Sequence, residues 1–67
     1  MQSLLTKRER EIFHLLINNY STVDISQKLG ISEKTVRNHI SNVIQKLGVT
    51  SRIQAVLELL RMKEIEL

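Results

Sequence analysis

The chain has 67 residues, with 10 Lys and Arg against 7 Asp and Glu, a net charge of +3, two His, and neither Cys nor Pro. A domain of this length buries only about 60% of the surface its unfolded chain exposes, so stability must come from packing and capping, or from a partner subunit. Disulfides and thiolate metal sites are excluded, a structural zinc lacks ligands, and no apolar run approaches the roughly 20 residues of a membrane span, so a soluble cytoplasmic chain without metal or cofactor is expected.

Apolar spacings of three and four predict an all-α chain in one domain, 1–67. Thr6 and Glu9 have the spacing of a capping box, which opens helix 1, about 7–18, with Ile12, Phe13 and Leu16 on a shared face. Asn18, Asn19 and Tyr20 end it, because Asn tolerates the left-handed turn that stops a helix. Ser21 and Asp24 open a short helix 2, about 22–29, with Tyr20 placed to staple onto Ile25. Gly30 suits a left-handed stop and Ser32 a cap. Only three residues then separate helices 2 and 3, and so short a link holds the pair at a steep angle in a helix-turn-helix.

Helix 3, about 33–47, divides cleanly on a helical wheel. Val36, Ile40, Val43, Ile44 and Leu47 form one arc, while Lys34, Arg37, Asn38, Ser41 and Gln45 lie roughly opposite. Arg and Lys fork to guanine and Asn or Gln to adenine, so this polar side carries donors and acceptors that match base edges. Any surface helix also has a polar side, and an intrahelical Arg37–Glu33 pair at i,i+4 is an equally physical use of the arginine. Charge sharpens the choice: residues 32–47 carry a net +2 and residues 7–11 a net +1, whereas 58–67 carry −1. That asymmetry favours a polyanion approaching one side.

Gly48 ends helix 3, and Ser51 with Gln54 opens helix 4, about 52–62. Its wheel shows two stripes. Ile53, Val56, Leu57 and Leu60 are expected on the core, which leaves Ala55, Leu59 and Met62 as a spare stripe for a homodimer contact. The alternative is a broad core-facing helix whose second stripe is covered by the tail residues Ile65 and Leu67.

Several linked segments have the order and spacing of the LuxR-type helix-turn-helix family: Leu5-Thr6-x-Arg8-Glu9; Ile25-Ser26 before Leu29; Ile31-Ser32-Glu33-Lys34-Thr35-Val36-Arg37-Asn38-His39-Ile40-Ser41-Asn42; Lys46-Leu47-Gly48-Val49; and Ser51-Arg52-x-x-Ala55-Val56. The chain resembles that family over residues 5 to about 62, and within it small free-standing regulators of spore-coat genes. The resemblance implies a four-helix domain that binds double-stranded DNA as a homodimeric transcription regulator in the bacterial cytoplasm, at the nucleoid, with RNA polymerase as a further partner. Helix 3 would be the recognition helix and helix 4 the dimerisation helix. By motif position, Arg37, Asn38 and Ser41 would face bases, Lys34 bases or phosphates, and Thr35 and His39 would lie on or near phosphates, with Lys46 on the backbone further along and Thr22, Arg8 and Thr6 as weaker phosphate candidates. Asn19 stands where the family usually has Gly, Ser26 where it favours Ala, and Thr22 where relatives often carry Asn, which weakens the case for a phosphate contact there.

No nucleophile and base stand together in the sequence, so an enzyme is not expected. Two other readings stay open: the effector domain of a longer response regulator, and a helical module that docks on protein. RNA binding would call for aromatic platforms, and the chain has only Phe13 and Tyr20.

Overall fold

A computed structural model of the chain describes residues 4–67. Four helices account for it: α1 (Lys7–Ile17), α2 (Thr22–Leu29), α3 (Glu33–Leu47) and α4 (Arg52–Arg61). Each begins on a hydroxyl. Thr6 accepts from the Glu9 N–H at 3.1 Å while the Glu9 carboxylate takes the Thr6 N–H at 2.9 Å, and Ser21 and Asp24 repeat the exchange at 3.1 and 3.2 Å. Ser32 accepts from the Thr35 N–H and Ser51 from the Gln54 N–H. The capping box expected at α4 is only half made, because the Gln54 side chain reaches past Ser51 to the N–H and hydroxyl of Thr50, both at 2.9 Å.

Each helix also stops in the same way, with one residue in the left-handed region: Asn19 (φ 68°), Gly30 (φ 68°), Gly48 (φ 69°) and Lys63 (φ 60°). After α1, Tyr20 N–H returns to Leu15 O and Asn19 N–H to Leu16 O, the pattern that satisfies orphan carbonyls. Lys63 makes the same stop after α4, with Glu64 N–H on Leu59 O. Nothing in the side chain of lysine announces that turn.

The core is one cluster: Leu5, Ile12, Phe13, Ile25, Val36, Ile40, Val43, Ala55, Leu59 and Ile65. Helix α3 lies at its centre and packs on α1, α2 and α4. The tail then returns to α1, where the Arg10 guanidinium donates to the Glu64 carbonyl and, at 3.1 Å, to its carboxylate, and Ile65 closes the core beneath.

Helix α4 follows the sequence reading only in part: Val56 and Leu60 pack against the core as expected, but the fully buried residues come from the other stripe. Ala55 and Leu59 are fully buried, whereas Ile53 and Leu57, expected inside, keep 72% and 61% of their surface exposed. Buried in the monomer, Ala55 and Leu59 have no surface to offer a second subunit, so their assignment to a dimer contact is corrected; Met62 remains half-exposed at the helix end. The small Ala55 puts no bulk between α4 and α3, and Ile65 joins the same cluster. The tail alternative is thus half right, since Ile65 packs on the core and Leu67 is 96% exposed.

Candidate nucleic-acid interface

Helix α3 is 15 residues long, about 22 Å at 1.5 Å per residue, and its two sides differ as the wheel requires. Val36, Ile40 and Val43 are buried and fix the helix about its own axis. Their opposites are thereby pushed outward: Glu33, Lys34, Arg37, Asn38, Ser41, Asn42 and Gln45 are all exposed. Thr35 and His39 sit at the margin, half-buried. The two ends are closed by the Ser32 cap and by Gly48, so this outward row stands on a helix capped at both termini.

The outward row can donate to and accept from a nucleic acid. Arg37 supplies a planar fork of donors, Lys34 a point charge, Asn38 and Gln45 an amide each, and Ser41 a side chain small enough for close approach. Among the described residues a single ion pair restrains them: Arg37 Nη1 lies 3.6 Å from Glu33 Oε1, one helical turn away. That separation is an ion pair too long for a hydrogen bond, and both groups remain in solvent. At the N-terminus Ser32 Oγ also meets Thr35 Oγ1 at 2.9 Å, so the Thr35 hydroxyl already has a local partner.

Away from α3 the expected phosphate ligands are less uniform. Thr22 is the first residue of α2 and half-buried, and Arg8, on the first turn of α1, lies 3.8 Å from Glu11 in an exposed pair. Lys46 is exposed as a residue but already engaged: its ammonium donates to the Glu9 carboxylate and, at 3.2 Å, to Leu4 O. Burial by itself would push the Glu9 carboxyl up; the Lys46 ammonium and the hydrogen bonds from Thr6 outweigh it and hold the carboxyl below its ordinary value. Lys46 thus compensates a buried charge that also serves as half of the α1 capping box.

A second surface lies on α4. Ile53 and Leu57, one turn apart, border an open groove with Leu16, Ile17, Tyr20 and Val56. The Lys28 ammonium sits 5.9 Å from the centre of the Tyr20 ring, so the aromatic already has a partner within the chain. Among the described residues no three acidic, His or Cys side chains gather to hold a metal ion, and no helix is long and apolar enough to cross a membrane.

Comparison with known proteins agrees with this fold. The family model GerE, bacterial regulatory proteins of the luxR family, matches residues 3–59. Spore germination protein GerE of Bacillus subtilis (strain 168) is 67% identical over 64 residues, covering 96% of this chain and 86% of that protein. The transcriptional regulatory protein DegU of Brevibacillus brevis is 51% identical over 55 residues, 82% of this chain but 23% of its own length. Among solved structures, the transcription factor GerE superposes with a TM-score of 0.95 at 71% identity, covering 97% of both chains. The response regulator ChrA of a heme-sensing two-component system gives 0.86 at 35% identity, covering 97% of this chain and 32% of that one.

Proposed function

We propose, since the chain belongs to the luxR family of bacterial regulatory proteins, that it is a transcription regulator binding specific double-stranded DNA as a homodimer, with α3 in the major groove. The observation that carries this reading is the outward row of α3, held in place by a buried opposite face and left exposed by the rest of the described residues. Arg37, Asn38, Ser41 and Lys34 read base edges. Thr35 and His39, at the margin of the row, and Thr22 and Arg8, on the first turns of α2 and α1, hold phosphates, where helix N-termini add free N–H groups and a partial positive charge. All of residues 1–67 act as one such domain.

The second copy docks through the exposed side of α4, with Ile53 and Leu57 as its apolar centre and Met62 at its edge. Two neighbouring apolar side chains at these exposures, on so small a chain, support an association surface. Likeness to the spore germination protein GerE supports a role in sporulation or spore-coat gene control, in the cytoplasm at the nucleoid, with RNA polymerase as a further partner.

Selection of bound sequences from a random duplex pool, followed by affinity measured against salt, tests the reading. A recovered imperfect palindrome, bound more tightly than random duplex and with a log–log salt slope of about −0.9 for each phosphate neutralised, is the expected result. Equal affinity for selected and random duplex, or salt-independent binding to protein partners alone, would leave the outward row as a protein-docking face.

A further inference from the structure

Between Ile25 and Leu57 the chain has five cations, Lys28, Lys34, Arg37, Lys46 and Arg52, and a single acid, Glu33. That acid stands on the outward row of α3, one turn before Arg37 and 3.6 Å from it, with the two side chains 47% and 56% exposed. A carboxylate accepts but cannot donate, so it has nothing to offer a phosphate except repulsion. Its presence on a face otherwise built to meet a polyanion calls for a reason. As a first-turn acid it favours the positive end of the helix, and an aspartate there would do the same.

We infer that Glu33 is a specificity-determining residue acting through Arg37: it holds the guanidinium over the base-reading row and withholds it from the phosphate backbone. This inference rests on the DNA-reading role proposed for α3. Arg37 has more donors than one loosely paired carboxylate engages, so it forks to a guanine edge while Glu33 stays beside it. Contact with a phosphate instead draws Arg37 off its partner and leaves a bare carboxylate near a polyanion. Since random duplex is bound through phosphates, the penalty falls on wrong sites more than on right ones.

The test measures affinity against salt for the selected duplex and a random duplex, using the whole chain with Glu33→Gln, Glu33→Asp and Arg37→Ala, and the Glu33→Gln/Arg37→Ala double variant. Glu33→Gln is expected to tighten random duplex, to steepen its log–log salt slope by about 0.9 as Arg37 gains a phosphate, and to leave the slope for selected duplex unchanged. The specificity ratio falls by about two- to fivefold, between the worth of one exposed i,i+4 pair and the lower bound for one bidentate base contact. Glu33→Asp keeps the charge but sits one methylene short of Arg37, and it lowers the ratio too. In the Arg37→Ala background, Glu33→Gln leaves the ratio where it was.

A ratio unchanged by Glu33→Gln, a parent-like ratio in Glu33→Asp beside a lowered one in Glu33→Gln, or an undiminished effect of Glu33→Gln without Arg37 would each overturn the inference, the last two by reducing it to bulk charge. Failure of the underlying DNA reading looks different: the parent itself then shows no preference for the selected duplex.

Discussion

The two ends of α3 each carry a cation paired with a glutamate, and the pairs have opposite characters. Arg37 and Glu33 are neighbours on one helix, loosely apposed and about half-exposed; Lys46 and Glu9 are 37 residues apart, with 4% of the Glu9 side chain and 32% of that of Lys46 exposed. An exposed pair is worth a few tenths of a kcal/mol and exchanges readily for another partner, whereas a buried carboxylate stripped of its cation is costly. Sign of charge therefore says little about which cation meets a ligand. Burial of the partner separates the two, and α3 divides into a half proposed to meet DNA and a last turn whose lysine is tied to α1.

The largest expected effect breaks the buried end. Lys46→Ala lowers unfolding free energy by roughly 2–4 kcal/mol, somewhat below the range for fully buried pairs because Lys46 is one-third exposed. Urea titration reads this directly, and a loss under 0.5 kcal/mol would deny the pair its structural role. Acid sharpens the same point. Because the folded Glu9 carboxyl is held below its ordinary value, the contribution is complete above the unfolded-state value and disappears as pH falls through the lower folded one. Stability measured from pH 7 to pH 3 should thus fall more steeply for the parent than for Lys46→Ala.

At the other end Arg37→Ala inverts the pattern. Unfolding changes by no more than about 0.5 kcal/mol, while binding to the selected duplex weakens by about 1–3 kcal/mol and the preference at one position of each half-site relaxes. Loss of stability without loss of specificity would make Arg37 a second Lys46. The smallest effect per copy is at α4: Leu57→Ala removes about 1–2 kcal/mol of apolar burial from each protomer of a dimer, lowering self-association in sedimentation without unfolding the chain. Unaltered sedimentation would move the proposed interface elsewhere.

What could be read from the chain follows from the range of the forces involved. Thr6 with Glu9, Ser21 with Asp24, the Ser32 cap and the left-handed stops at Asn19, Gly30 and Gly48 are local chemistry over three or four residues, and all are present in the structure. The polar and apolar sides of α3 were legible because one stripe dominates the wheel. On α4 two stripes compete and the wheel alone does not rank them: Val56 and Leu60 of the expected stripe pack on the core, but the helix fully buries the small Ala55 with Leu59 and leaves Ile53 and Leu57 exposed. The Lys46–Glu9 pair and the Arg10–Glu64 bond span 37 and 54 residues and leave no trace in local spacing. Lys63 took a left-handed turn that its residue type disfavours, held by Glu64 N–H on Leu59 O and by the anchored Ile65 behind it.

Backbone amide shifts followed by NMR during titration with the selected duplex test the division of α3 most directly. The largest perturbations are predicted between Glu33 and Asn42 and at the first turn of α2, with the amide of Lys46 and the buried residues of α4 little moved. Perturbations centred on Lys46 or on the tail, with Lys34, Arg37 and Asn38 silent, would contradict the account.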